Sequence, residues 1–589
     1  MNTAALNNIC QKQSILYVKS FQVVIRLGKL ALYHCDECNI PLLKRSYDGK
    51  AARHVAITPP GDVRPAFDFD VAMLEKLLKK QFGSAYLPPV ILLNSIPAID
   101  RSDEVIIDGR VAGVLYYDIF RQSFYFQPRP WYASLLEIKK GYVVADDGAV
   151  DAILKTSNLM GPGVVSVDGG IKEGDEVIVL NKDWEVVATG KARKNADEMK
   201  SHGMAVKIKW RGIEKAEKRE KITWKDVIEA NEDVISSYVG EAKKFIERFA
   251  ERSEKKVISF SGGKDSLATL LLTLEAGYEF PMMFLNTGIE FDETVEYVHD
   301  VASRHSVELF EESAGDAFWR GIKVFGPPSR DYRWCCKTCK LGPAVRLIKK
   351  HFGGSVISFI GQRRYESENR AKHGSIWQNP WVRGQIAVSP IQNWTALHIW
   401  LYLFMKKARW NRLYEQGFYR IGCWLCPSSN MADFAIKKHA DWERFEKELR
   451  AFKEKQNLPE EWLSLGLWRW RRPPRWSKVR YEVTTERKYE IKGNEKRIEN
   501  FLNILGRVEK LGKGYRAGRF EVSLDRLEEN EKIVNDVIYK AIKCIGCGVC
   551  LTHCPRDAIY IDANKAWIDA NKCIHCRECM KECPVVVFG

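Results

Sequence analysis

Apolar residues along this chain come in short blocks, and their period changes from one region to the next. Residues 71–82, VAMLEKLLKKQF, space their apolar positions three and four apart, which predicts a short helix from Val71 to Phe82. The apolar runs VILLNSIPAI (90–99) and EVIIDGRVAGVLYYD (104–118) follow it, so this stretch reads as a small α/β piece of no evident chemistry. From Gly141 short apolar strands alternate with Gly and Asp-Gly turns, with one helix from about Asp147 to Thr156, the pattern of a small β-barrel. Residues 213–256, rich in Glu and Lys, predict a linker and a helix through VIEANEDVISSYVGEAKKFIERFAERS. A βα repeat begins at Val257 and runs to about Trp410, followed by a Trp- and Arg-rich helical region to about Arg480, a charged α/β linker to Lys540, and a cysteine-dense end.

A chain of 589 residues exceeds what one core can hold, and 45% hydrophobic content supports several packed ones. The net charge of +16, from 92 basic and 76 acidic residues, fits either a polyanion partner or a thermophile's ion-paired surface. No run of 18 apolar residues occurs, and the stretch Ser14 to Tyr33 is broken by Lys19, Arg26 and Lys29, so neither a membrane span nor a secretory signal is expected. Sixteen cysteines, mostly in C-x2-C groups, point to metal ligands in a reducing compartment, hence to a cytoplasmic protein.

In VISFSGGKDSLATLLL an apolar strand leads through a Gly-rich turn into a helix, the setting of a phosphate loop. Gly262 and Gly263 allow a phosphate to approach the backbone, and Ser261, Lys264, Asp265 and Ser266 complete the grip, with Lys264 as point charge and Ser266 as hydroxyl donor. KCIGCGVCLTHCP and KCIHCRECMKECP each give C-x2-C-x2-C-x3-C-P, the bacterial ferredoxin run in which the fourth Cys ligates the other cluster. One [4Fe–4S] cluster is therefore assigned to Cys544, Cys547, Cys550 and Cys583, and a second to Cys573, Cys576, Cys579 and Cys554, with zinc the lesser alternative. Cys35 and Cys38 are spaced like one knuckle of a zinc ribbon whose second pair is missing, with only His54, Cys10 and His34 to substitute; a decayed ribbon is favoured over bound zinc.

SGGKDS resembles the signature of the PP-loop ATP-pyrophosphatase superfamily, and FLNTGIEFDETVEYV, GQRRYESENRA and SPIQNWTALHIWLYL place residues 255–430 with its phosphoadenylylsulfate (PAPS) reductase family. Asn286 stands where an Asp is usual. That resemblance implies a parallel-sheet, adenine nucleotide α-hydrolase-like domain that binds ATP, adenylylsulfate (APS) or PAPS, with Mg2+ as a candidate companion, and implies Arg363, Arg364 and Arg370 as anion ligands. Cys335 and Cys336, with the distant Cys423 and Cys426, are similar to the ligand set of a third [4Fe–4S] cluster in APS reductases; tetrahedral zinc is the alternative. Residues 141–212 resemble a PUA domain, an RNA-binding module, through DDGAVDAIL, LMGPGV and IKEGDEV.

Two departures bear on mechanism. The C-terminal Cys that attacks sulfate in those reductases is missing, since no Cys lies between Cys426 and Cys544, whereas the phosphate loop is intact. Cys339 is the unassigned thiol, and Lys337, Lys340 and Arg333 beside it in sequence are expected to activate it as the nucleophile, with service as an alternative cluster ligand the competing role.

The expected architecture is multidomain α/β: a degenerate zinc-ribbon-like segment (1–60), a small α/β domain (61–135), a PUA-like barrel (140–212), a helical linker (213–255), the PP-loop domain (256–440), a Trp/Arg-rich helical region with a charged linker (441–540) and a bacterial-type 2[4Fe–4S] ferredoxin (541–589). Three functions compete. In the first, activated sulfate is reduced with electrons that an external donor supplies to the ferredoxin module, and Lys264, Asp265, Arg363, Arg364 and Cys339 are catalytic. In the second, tRNA or another RNA is thiolated at the expense of ATP, and in the third an RNA-binding redox sensor stacks bases on Trp468, Trp470 and Trp476.

Overall fold

The computed structural model describes residues 32–484 and 487–588. Cys10 and the start of the apolar stretch from Ser14 lie outside the described residues. No helix among the described residues is long and apolar enough to cross a membrane.

The N-terminal ribbon is a three-stranded antiparallel sheet in which Tyr33–Cys35 lies between Ile40–Leu42 and Arg53–His54. A five-stranded antiparallel sheet follows, from Arg64–Pro65 at one edge to Ser123–Pro128 at the other. Helix Asp68–Phe82 covers it, burying Leu74, Leu77, Leu78 and Phe82. Gly83 ends the helix at φ 92°, a left-handed conformation that suits glycine. The barrel has six strands, with Tyr142–Ala145 parallel to Glu176–Leu180 and the other pairs antiparallel. Its helix Asp147–Lys155 is capped by Asp146, whose carboxylate accepts the Ala149 N–H at 2.7 Å.

Helix Trp224–Ala250 corrects the expectation of a linker. Its buried stripe of Val227, Ala230, Ile235, Ala242 and Ile246 joins the same core as Ile258, Leu270 and Leu401 of the nucleotide domain, so it is a layer of that domain. Asn231 on it holds the ribbon, accepting the Leu43 N–H at 2.7 Å and donating to the Pro41 carbonyl at 3.1 Å.

The nucleotide domain is built on a six-stranded sheet ordered Leu309–Ser313, Met282–Asn286, Lys256–Ser259, Val356–Ile360, Gln385–Val388, Ile376–Gln378. Only the last strand is antiparallel. Lys256–Ser259, the first of these six strands in chain order, has later strands on both sides, so the loop after it opens at a topological switch point, where such sheets bind ligands.

The boundary expected at residue 541 falls inside helix Lys532–Lys543. Helix Glu495–Leu502, the hairpin strands from Val508 to Ser523 and that helix share one core with Cys544, Cys550, Ile559 and Ile568. Residues from about 495 onward therefore belong to the C-terminal module, whereas Trp442–Lys455 and Leu467–Arg469 pack against Cys335 and Trp424 of the nucleotide domain.

Candidate functional site: a phosphate loop beside three cysteine sets

The phosphate loop is shaped by two glycines and one close contact. Gly262 has φ 74°, and a Cβ there would lie 2.8 Å from Thr294 Cγ2. Gly361, at the end of the neighbouring strand, lies so close to the Asp265 and Ser266 backbone that a Cβ would meet it at 2.4 Å. Ser266 Oγ donates to the Gly263 carbonyl at 2.8 Å, accepts the Ser261 N–H at 3.3 Å and lies 3.4 Å from Ser261 Oγ, fixing the turn. Lys264 Nζ pairs with Asp265 at 2.7 Å, and the Lys264 N–H donates to the buried hydroxyl of Tyr414 at 2.9 Å. Tyr414 gave no signal in the sequence, because it lies 150 positions from the loop.

Arg363 corrects the reading of the Arg motif. It is 2% exposed; its Nε donates to Asp265 Oδ1 at 2.5 Å and its Nη1 to both oxygens of Asp62 at 3.0 and 2.9 Å. Two carboxylates already balance the guanidinium, so it is a buried structural cation, not an open anion ligand. Burial alone would raise the Asp265 pKa, but the Arg363 and Lys264 charges outweigh it and hold the carboxyl well below the usual range. Asp62 also accepts the Ala396 N–H at 2.6 Å, at the start of helix Ala396–Met405. The supposedly inert domain thus completes the electrostatics of the phosphate loop. Arg370 pairs with Glu366 on its own turn, and Arg364 reaches Asn393 Oδ1 at 3.4 Å.

Cys336 to Leu341 form a π-helical turn, which directs Thr338 and Cys339 inward. Cys335, Cys339, Trp424 and Leu425 share one buried cluster, with Cys336 and Cys423 packed against it, so the fold gathers this distant pair of sequence segments. Cys423 stands by Thr287 Oγ1 at 3.5 Å and Glu290 Oε1 at 3.8 Å, on the turn after strand Met282–Asn286. Cys339 corrects the nucleophile reading: burial pushes its thiol up to about 12. The basic neighbours act instead on Cys336, where a hydrogen bond from Cys335 comes first and Arg333, Lys340 and Lys337 add to it, bringing the thiol down to about 6.

In the C-terminal module, Cys554, Cys573, Cys576 and Cys579 line one small pocket. Cys550 and Cys547 feel the charges of Cys583 and Cys544, so the fold also gathers that set. Backbone N–H groups already point at sulfur, from Ala566 to Cys544 Sγ at 3.4 Å and from Ala558 to Cys554 Sγ at 3.2 Å, which suits cluster thiolates. Among the described residues no three His, Cys, Asp or Glu side chains converge on a position for a single ion; a four-iron cube takes one thiolate per iron and spaces its ligands more widely. In the ribbon, the Cys38 N–H donates to the buried Cys35 Sγ at 3.3 Å, and His54 stacks edge-on to Tyr33.

The module docks on the central cysteines. Arg346 donates to the Cys547 carbonyl at 2.7 Å, and Arg320 to the Ile545 carbonyl at 3.2 Å. Gly342, next to the π-helical turn, approaches Cys547 so closely that a Cβ would lie 2.3 Å from its carbonyl oxygen. Tyr332 bonds the Phe588 carbonyl at 2.5 Å, and Ile545 and Cys583 enter the core that holds Cys335 and Cys339. The Trp/Arg patch is a packed corner: Trp468 is buried, and Arg469 is fully buried, its Nη1 donating to the Ser429 carbonyl at 2.6 Å and its Nη2 to Asp100 Oδ2 at 3.4 Å. Trp468 is therefore closed to base stacking.

A parallel sheet with a phosphate loop, a PUA barrel and a ferredoxin-type module define the class. Residues 141–210 match the PUA domain, 255–429 the phosphoadenosine phosphosulfate reductase domain and 543–587 the 4Fe-4S dicluster domain. The uncharacterized protein MJ0066 of Methanocaldococcus jannaschii is 36% identical over 76% of this chain and 97% of its own length. Adenosine 5'-phosphosulfate reductase 2 of Bacillus subtilis is 26% identical over 38% of this chain and 94% of its own. A PAPS reductase structure from Candida auris, in complex with phosphate, is 18% identical over 35% of this chain and 98% of its own, at a TM-score of 0.26. The chain belongs to the phosphoadenosine phosphosulfate reductase family, in the form fused to a PUA domain and a C-terminal 2[4Fe–4S] ferredoxin.

Proposed function

We propose that the protein reduces a sulfated adenine nucleotide, APS or PAPS, with electrons passed inward from its own ferredoxin module. The observation that carries this reading is the docking of the Cys544, Cys547, Cys550 and Cys583 set on the π-helical turn of Cys335, Cys336 and Cys339. That turn packs against strand Met282–Asn286, the neighbour of the phosphate-loop strand, and Cys423 lies 3.5 Å from Thr287 Oγ1 at that strand's end. Two electrons cleave the S–O bond to the nucleotide phosphate, leaving sulfite and the unsulfated nucleotide. Clusters bound at these cysteine sets would supply the electrons one at a time. Lys264 and the loop backbone would hold the nucleotide phosphate, and Arg363 would keep Asp265 in place.

Protein reduced with titanium(III) citrate, which unlike dithionite adds no sulfite, should form sulfite from APS or PAPS without RNA or ATP. The buried Cys339 thiol predicts that Cys339→Ser retains both iron and sulfite formation, to within a few-fold of the parent. A second reading, ATP-dependent RNA thiolation, draws support from the PUA match and the intact loop. Pyrophosphate release from ATP that requires RNA, with neither sulfonucleotide reduced, would replace the first reading by the second.

A further inference from the structure

Helix Lys532–Lys543 runs straight into the first cysteine run, and Lys540 lies on it one turn before Cys544. Its side chain is 1% exposed, and its Nζ donates to the carbonyl of Cys579 at 2.6 Å. The groups whose charge bears on it most are Cys583, Cys579, Cys550 and Cys544. Three of these belong to one ligand set and Cys579 to the other, so the ammonium stands at the junction of the two.

Among the described residues no carboxylate pairs with Lys540. The neighbours show what an ordinary arrangement on this helix looks like. Asp536, four residues earlier and on the same face, pairs with Arg487 at 2.5 Å, and Lys543 pairs with Glu490 at 3.3 Å. A buried ammonium without an anionic partner is strongly unfavourable. Its counter-charge has to come from what the surrounding cysteines hold.

We propose that Lys540 is a shared internal counter-charge for the two C-terminal clusters, raising the reduction potential of both so that electrons pass between them toward the nucleotide domain. A cluster gains one negative charge on reduction, and a fixed positive charge nearby favours the reduced form. A unit charge a few ångströms away in a protein interior shifts the reduced-to-oxidised ratio by about tenfold or more. A lysine beside only one set would separate the two potentials; one between them moves both together. The inference rests on the dicluster module and not on the identity of the substrate.

The test compares full-length parent protein, purified without oxygen, with Lys540→Met, Lys540→Gln and Lys540→Arg. Iron and sulfide are assayed, and both C-terminal clusters are titrated by EPR at controlled potential. Both neutral variants should hold full iron and be harder to reduce at both clusters, with the reduced-to-oxidised ratio at a fixed poise lower by about tenfold. Lys540→Arg should restore parental behaviour. Iron loss in both neutral variants, with retention in Lys540→Arg, would also support a required charge. Unchanged potentials in an iron-replete neutral variant, a shift confined to one cluster, or equal iron loss in all three variants would overturn the proposal. Sulfite formation plays no part in this readout, so failure of the proposed reaction leaves it standing.

Discussion

An Arg363→Met variant should unfold far more easily than the parent, losing on the order of 3–5 kcal/mol, the usual cost of removing one partner from a buried ion pair. The guanidinium is the only group that joins Asp265 of the phosphate loop to Asp62 of the N-terminal sheet domain in the bonds described, and it is 2% exposed. Without it Asp62 keeps the Ala396 N–H at 2.6 Å but loses the bonds to both its oxygens, and Asp265 keeps Lys264 at 2.7 Å but loses one charge-assisted bond. The acid limb should move as well. Because the folded-state pKa of Asp265 is depressed, its contribution is fully present above the unfolded value near 4 and is lost only as pH falls through the lower folded value. Removing one of its two cations brings the folded value nearer the unfolded one, so the variant, weaker at neutral pH, should lose less further stability than the parent as the pH falls. Thermal melts between about pH 3 and 7 measure both effects. A variant with parental stability and a parental acid profile would mean that Arg363 does not carry the buried charge described.

The same residue shows why the sequence could be read only in part. GQRRYESENRA advertises arginines, but nothing near it reveals Asp62, 301 positions earlier, which takes up the charge. The phosphate loop was legible because strand, glycines and helix are contiguous, and so were the ferredoxin runs, whose spacing is local chemistry. Cys339 misled because Lys337, Lys340 and Arg333 are its neighbours along the chain, whereas the π-helical turn takes its thiol into the core and leaves those cations to act on Cys336. Helix Trp224–Ala250 was read as part of a linker because residues 213–256 around it are rich in Glu and Lys. Its narrow apolar stripe, Val227 to Phe249 at helical spacing, was the signal that composition concealed. The C-terminal boundary was misplaced for a related reason: the hairpin strands from Val508 to Ser523 carry charges on one face, and only the other face enters the core around Cys544.

Iron content tests the arrangement of the cysteines as a whole. Protein purified without oxygen should contain about twelve iron atoms per chain, four for each of three sets. A Cys336→Ser, Cys423→Ser double variant should contain about eight, because it removes ligands from both segments of the central set and none from the C-terminal module. Truncation would be a poorer test, since the module shares its core with residues from about 495 and buries Ile545 and Cys583 against the nucleotide domain. A single zinc at the central set would require four ligands around one point, and there zinc would replace the third cluster's iron in the parent. Metal analysis with EPR of the reduced samples separates these cases. Zinc in the parent that disappears in the double variant, with iron near eight in both, would refute the central cluster and with it the inward electron route. Loss of about four iron atoms and of one cluster signal alone, with Lys540 still holding the other two clusters at parental potentials, is the result that the docked geometry predicts.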